Sequence, residues 1–399
     1  FNAMILTARK STYLFILFVI CTAIVSCAQE TKSSYKILTG ADQTNLYISK
    51  LKGKRIAIVA NQTSVISNGS NYTHLVDSLV SLKLNIQKVF APEHGFRGKA
   101  DAGESIADGI DAKTGLPLIS LYGKNKKPTK AQLKDIDLVV FDIQDVGVRF
   151  YTYISTLHYV MEACAELKIP LLLLDRPNPN GHYIDGPILE PAHKSFVGMH
   201  PVPVVYGMTI GEYGLMINGE KWLDNGLKAS LTVIKLKNYT HSSTYNLPIK
   251  PSPNLPNKKA INLYPSLCFF EGTNVNAGRG TNMQFQIYGS PFLNTKSKFS
   301  FTPTPNEGAK YPKHAHMISY GEDLRDAEKL TSLNLSWLIK ATKQNRTKNF
   351  FNTFFTKLAG TTKLQAQLEE KVSEADIKAS WQEGLEKFKI VRKKYIIYQ

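Results

Sequence analysis

The stretch VFAPEHGFRG, residues 89–98, ends an apolar run and then sets Glu93, His94 and Arg97 into a loop punctuated by Pro92 and Gly95. An acid, an imidazole and a guanidinium this close together can donate a proton, relay one, or grip an anion. Three other apolar runs end in the same way. The first leads into Asn61, Gln62 and Thr63; FDIQDVGVRFYTYIS supplies Asp142, Gln144, Asp145, Arg149, Tyr151 and Tyr153; LDRPNPNG supplies Asp175, Arg176, Asn178 and Asn180. A glycine-rich segment, CFFEGTNVNAGRGT (268–281), adds Glu271, Asn274 and Arg279. For Asp145 and Asp175 the expectation is structural, as loop caps or ion-pair partners.

Several chemistries lack their signatures. The turn after the first run, ANQTSVISNGS, has neither Gly-x-Gly-x-x-Gly nor Gly-Lys-Ser/Thr, so a phosphate would find no glycine cradle and no nucleotide cofactor is expected. His94, His158 and His182 could gather with Asp142, but no His-Glu-x-x-His or His-x-His spacing supports a metal, and none is expected. Gly-x-Ser-x-Gly is also missing, which argues against a serine nucleophile on an elbow. Carboxylate chemistry remains. Glu93, fixed between a proline and a glycine and set beside an apolar wall that includes Phe96, is a candidate general acid, and glycoside hydrolysis needs such an acid at the leaving oxygen. Glu271, with Asn274 and Arg279, is expected to close over the same cleft, and Asp142 is a further catalytic candidate.

The elements that must position these residues follow from periodicity. RIAIVA (55–60), NIQKVFA (85–91), LPLISLY (116–122), IDLVVFDI (136–143), IPLLLLD (169–175) and LTVIKL (231–236) read as short buried strands. Helices are predicted at 73–82, 129–135, 155–168 and 209–223. Alternation of this kind predicts an α/β fold: a Rossmann-like, doubly wound, mainly parallel sheet over 35–238 with its functional residues at the carboxyl ends of the strands. The stretch NLPIKPSPNLPNKKAINLYPS reads as extended loop. A smaller α+β auxiliary domain is expected over 239–399, with helices near 321–343 and 348–358 and one long charged helix at 363–389.

Residues 1–27 stand apart. Arg9 and Lys10 precede the apolar run YLFILFVICTAIVS, which has the build of a secretory signal. Its end, IVSC, resembles a bacterial lipobox, so Cys27 is the expected lipidation site and 28–34 a tether. Membrane attachment through that lipid is expected, with the periplasmic face of the outer membrane as the favoured location. Cys164 and Cys268 are expected as free, buried thiols. The 399 residues carry a net charge of +17, which suits an anionic partner such as cell-wall sugars. No arginine-rich stripe interleaved with aromatics points to nucleic acid.

Taken together, APEHGFRG, DIQDVGVRFYTYIST, LDRPNPNG, EGTN and the closing FKIVRKKYIIY resemble the bacterial proteins long labelled a domain of unknown function and described as exo-β-N-acetylmuramidases of the NamZ type. The resemblance spans nearly all of the chain after the tether. It implies a glycoside hydrolase with a Rossmann-like catalytic domain, a smaller auxiliary domain and a cleft between them. The implied reaction is release of terminal N-acetylmuramic acid from the non-reducing end of peptidoglycan-derived muramic acid–glucosamine saccharides, with Glu93 as the essential acid. Muramic acid carries a lactyl carboxylate that a selective pocket must hold, and Arg97, Arg149, Arg176 and Arg279 are candidates for that grip. Tyr151 and Tyr153 are candidates to pack on sugar faces, and His94, Gln144, Asn178 and Asn274 to bind or orient the substrate. Two other readings stay open: a non-catalytic cell-wall glycan-binding lipoprotein using the same cleft, and a metal-dependent cell-wall hydrolase.

Overall fold

The computed structural model describes residues 35–97 and 108–399, so the expected signal, Cys27 and the tether lie outside the described residues. Residues 38–399 pack as one compact body. Its centre is a seven-stranded sheet of β1 (Ile56–Ala60), β4 (Ile86–Ala91), β5 (Gly109–Ile110), β6 (Pro117–Ser120), β7 (Leu138–Asp142), β8 (Leu171–Leu174) and β9 (Leu231–Ile234), in the order β5-β6-β4-β1-β7-β8-β9. All neighbours are parallel except the edge pair β5–β6. The six parallel strands thus fan out in both directions from β1, the doubly wound arrangement expected.

Strands β1 and β8, and β7 up to Asp142, are apolar and buried at every residue because both faces of the sheet are covered there. Ala57, Val59, Phe90, Val139, Phe141, Leu171 and Leu173 feed one core. Their alternates Ile56, Ile58, Val89, Leu138, Val140, Leu172 and Leu174 feed the other, as the two-residue period of a strand requires. The second core is capped by helix α1 (Thr44–Leu51) and helix α2 (Leu75–Ser81), the latter reached through a hairpin of β2 (Val65–Asn68) and β3 (Asn71–His74). The first core is covered by α3 (Tyr153–Leu167) and α4 (Ile210–Gly219) and runs on without a break into the C-terminal half, through Phe269, Phe285, Phe355 and Phe388.

That half departs from the sequence reading in several places. Lys258–Leu267 is a helix, α5, although it carries Pro265. Asn257 starts it by accepting from the Ala260 N–H. Proline at 265 has no N–H for the carbonyl four residues back, and the Asn180 side-chain amide takes that Ile261 carbonyl instead, at 3.1 Å. A three-stranded antiparallel sheet, β10 (Ile287–Ser290), β11 (Phe299–Phe301) and β12 (Ser319–Asp323), occupies the start of the predicted 321–343 helix, which begins only at Ser336 as α6 (Ser336–Gln344). Helix α7 is short, Phe355–Ala359. The predicted 363–389 helix is three: α8 (Lys363–Glu369), α9 (Glu374–Ala379) and α10 (Gln382–Lys393). Lys371 adopts a left-handed φ of 60°, and Ser373 caps α9 by accepting from Asp376 N–H, so the chain restarts rather than continues. Residues 129–135 form turns, not a helix.

Two fastenings bind the C-terminal half to the sheet. Arg149, fully buried, donates to the carbonyls of Pro187 and Val202 and to those of Leu358 and Ala359 in α7, all at 2.7–2.9 Å. Among the described residues no carboxylate pairs with it, and burial pushes its pKa down to about 9. The closing motif makes the second. Tyr398 donates its hydroxyl to Asp175 at 2.6 Å and accepts from Leu236 N–H, while Ile397 N–H reaches Glu212 and the Arg392 guanidinium reaches the Gly207 carbonyl. Asp175, as expected, is structural. Cys164 and Cys268 are both free and buried. No helix among the described residues is long and apolar enough to cross a membrane.

Candidate active site

A cavity of about 420 Å³ opens beyond the carboxyl end of β4. Glu93 stands at its edge because the chain turns sharply after Ala91. Gly95 N–H closes the turn on the Pro92 carbonyl at 3.0 Å, and His94 and Gly95 both take left-handed φ values, 69° and 76°. Such a pair is costly for histidine and is held by its surroundings. Phe96 is buried edge-on against His74, with ring centroids 4.9 Å apart, and the Arg97 guanidinium lies 4.3 Å over its outer face. Phe96 therefore anchors the loop from beneath and is not the apolar wall expected of it.

His74 caps α2 by accepting from Val76 N–H through Nδ1, and donates Nε2–H to the Asn61 carbonyl at 2.9 Å. Burial pushes its pKa down to about 4. Its contribution to stability is complete above the ordinary histidine pKa of about 6.5 and is lost as pH falls from there toward 4, because the cap requires neutral Nδ1. His74→Asn keeps a capping oxygen and cannot titrate. The urea midpoint of that variant is expected to fall less than that of the wild type between pH 7.5 and pH 5; an equal fall would assign the acid sensitivity elsewhere.

The β7–α3 loop braces the Glu93 carboxylate. Thr152 occupies the N-cap position of α3, yet its hydroxyl caps no helix N–H and donates to Glu93 Oε2 at 2.6 Å. Tyr153 donates to the Glu93 carbonyl at 3.3 Å and accepts from Asn61 at 2.9 Å. The Tyr122 phenol faces the same carboxylate, and burial together with that negative charge raises its pKa. Tyr151 and Tyr153, edge to face at 4.8 Å, line the cavity with Phe150 and Phe196.

The turn Cys268–Gly272 after α5 brings Glu271 to the same cavity. Arg279 Nε donates to Glu271 Oε1 at 3.0 Å, and the Lys313 ammonium donates to the carbonyls of Phe270, Glu271, Thr273 and Val275. Burial works to raise the pKa of Glu271, but these two cations outweigh it and hold the carboxyl below its usual range. Among the described residues the two terminal nitrogens of Arg279 have no hydrogen-bond partner in the protein, and Arg279 is the arginine lining the cavity.

Glu93, His94, Tyr151, Tyr153, Glu271 and Arg279 thus converge, and the other expected site residues do not. Asp142 is wholly buried in a two-bond ion pair with Arg176, at 2.6 and 2.8 Å, beneath the sheet edge. Arg97 is spent on Asp111 and Asp77, and Arg149 on the four carbonyls described above. Gln144 donates to the Asp145 and Pro177 carbonyls, Asn178 to the Met208 carbonyl, and Asn274 to Asn345 and Thr347. Each is a tie within the scaffold, because a polar group on a buried loop must find a partner. His158 pairs with His200 and His182 with the Leu330 carbonyl, so the imidazoles do not gather around Asp142. Among the described residues no three His, Cys, Asp or Glu side chains are grouped to hold a metal. Lys313 and Thr152 were not singled out from the sequence. Lysine in a Pro-rich turn and threonine in an apolar motif carry no periodic or compositional signal.

The profile described as Exo-beta-N-acetylmuramidase NamZ, N-terminal, matches residues 56–259, and its C-terminal counterpart matches 262–398. The chain is 39% identical over 398 residues to the peptidoglycan beta-N-acetylmuramidase NamZ of Bacillus subtilis strain 168, covering 92% of this chain and 93% of that protein. This chain belongs to the NamZ exo-β-N-acetylmuramidase family. Two solved structures of DUF1343 family proteins from Bacteroides fragilis NCTC 9343 share the fold. One superposes with a TM-score of 0.84 at 46% identity, over 92% of this chain and 99% of that one; the other with 0.79 at 26%, over 91% and 99%. The cavity draws on both NamZ segments, with Glu93 and Thr152 from the first and Glu271, Arg279 and Lys313 from the second.

Proposed function

We propose that the chain is an exo-acting β-N-acetylmuramidase that releases N-acetylmuramic acid from the non-reducing ends of peptidoglycan fragments, with Glu93 as its general acid. One observation carries the assignment of roles: two carboxylates share the cavity, Glu93 accepting from the Thr152 hydroxyl and Glu271 held below its usual range by Arg279 and Lys313. Separate settings suit separate tasks. Glu93 donates its proton to the departing glycosidic oxygen as the C1–O bond breaks; water supplies the new C1–O bond and gives up a proton, leaving free N-acetylmuramic acid and the shortened saccharide. Glu271, kept ionised, offsets the positive charge that develops on the sugar ring in the transition state. Thr152 fixes which oxygen of Glu93 carries the proton. Thr152→Val keeps the shape and removes only the hydroxyl, so kcat is expected to fall about tenfold with KM and thermal midpoint unchanged, and Thr152→Ser to restore it.

Arg279 reads the lactyl carboxylate with the two nitrogens that Glu271 leaves open. The test is hydrolysis of a muramic acid–glucosamine disaccharide against its analogue without the lactyl group, followed by mass spectrometry. Selective cleavage of the first is expected. Arg279→Lys keeps a cation beside Glu271 but loses the planar fork, and should erase about tenfold or more of the selectivity. Binding of both sugars without turnover would instead favour a glycan-binding protein.

We propose further that Cys27 carries the lipid of an exported lipoprotein at the periplasmic face of the outer membrane, on the strength of the apolar run that ends in IVSC. Incorporation of labelled palmitate that is lost in Cys27→Ser would support it, and unlabelled wild type would end it.

A further inference from the structure

Tyr311 is the most exposed large hydrophobic side chain among the described residues, at 95%, and it also lines the cavity. Among those residues its ring has no aromatic neighbour and no cation above it, and its hydroxyl has no hydrogen-bond partner. Phe196, by contrast, shares the cavity wall but has Lys126 at 4.7 Å over its ring.

The loop that holds Tyr311 out in solvent is firmly tied on both sides. Asn306 and Ala309 exchange backbone hydrogen bonds at 3.0 and 3.1 Å, and Asn254 donates to the Gly308 carbonyl. Pro312, next in sequence, restricts the backbone of Tyr311 to extended conformations and sits against Gly280, where a Cβ would meet the proline ring at 2.7 Å. Lys313 is pinned through its ammonium to four carbonyls, and its own carbonyl accepts from Asn276 at 2.8 Å. An aromatic face kept bare on a rigid frame at the mouth of the cavity is a surface prepared for a flat partner.

We propose that Tyr311 forms a leaving-side subsite: a stacking platform for the uncharged pyranose ring next to the muramic acid being released. This rests on the muramidase reading above. An exo-acting site encloses the terminal sugar around Glu93, Glu271 and Arg279, so the rest of the glycan must leave through the mouth, where Tyr311 stands. The platform binds the part of the substrate that does not react, and it therefore sets preference for saccharide leaving groups over small ones.

The experiment compares the purified protein and its Tyr311→Ala and Tyr311→Trp variants on two probes. One is N-acetylmuramyl-β-1,4-N-acetylglucosamine. The other is trifluoroethyl β-N-acetylmuramide, whose leaving group has no ring. Tyr311→Ala is expected to lose about tenfold in kcat/KM on the disaccharide, mainly through KM, with the trifluoroethyl probe unaffected and Tyr311→Trp close to wild type. Equal losses on both probes, or an unchanged disaccharide rate, would overturn the platform while leaving the muramidase reading in place. Failure of the wild type to cleave either probe would overturn that reading and the platform with it.

Discussion

Glu93→Gln is expected to reduce the rate of muramic acid release by about 10²–10⁴ while leaving affinity for the disaccharide and thermal midpoint near those of the wild type. The amide keeps an oxygen to accept from Thr152, so the brace at 2.6 Å survives, but it has no proton of suitable acidity for the leaving oxygen. The loss should therefore lie in kcat. Single-turnover release quantified by mass spectrometry, alongside calorimetric binding of the intact disaccharide, separates the two quantities. Full activity in the variant would remove Glu93 from the chemistry, and equal binding without any turnover in the wild type would favour the glycan-binding reading.

The second large effect is on stability and concerns a residue expected in the sequence to be catalytic. Asp142→Ala leaves the Arg176 guanidinium, 2% exposed, without its counter-ion. Removing one partner of a buried pair costs about 3–5 kcal/mol, because among the described residues the desolvated charge that remains keeps a hydrogen bond to the Val65 carbonyl and no carboxylate in contact. The urea midpoint should fall accordingly, while the activity of the protein that remains folded, normalised to its folded fraction, should stay close to wild type. Replacing both partners together, Asp142→Leu with Arg176→Met, should recover much of the loss, since the cost lies in the stranded ion rather than in the lost attraction. A variant of Asp142 that is stable but inactive would return the residue to the mechanism.

Why the sequence placed some residues well and others badly follows from what a motif can encode. Parallel strands buried on both faces announce themselves as apolar runs, and their carboxyl ends are where ligands bind in such sheets, so a place for Glu93 at the cavity was legible from its position, while its role as the acid was implied by the resemblance. The same logic over-predicted its neighbours. The ends of β1 and β7, where the strand order reverses, are filled by the protein itself: Ser64 bonds to the Asp142 carbonyl, Thr63 accepts from Gln144 N–H, and Arg176 covers Asp142. Polar residues in a motif look alike whether they face substrate or a buried carbonyl. Only the fold distinguishes Arg149, which ties two halves of the chain, from Arg279, which faces the cavity. In the C-terminal half the short helices are set by local caps and a single left-handed residue, and charge periodicity across 363–389 conceals such breaks.

The Tyr398 hydroxyl reaches an aspartate 223 residues earlier in the chain, just after β8, the strand beside the sheet's edge strand β9. Asp175 also accepts from the Thr209 hydroxyl and the Gly211 N–H at the start of α4, so one carboxylate gathers groups from three distant parts of the sequence. Contacts between residues so far apart cost chain entropy before they return any stabilisation. The clasp is therefore expected to close late in folding, after the sheet and α4 are in place, and to slow unfolding more than it speeds folding.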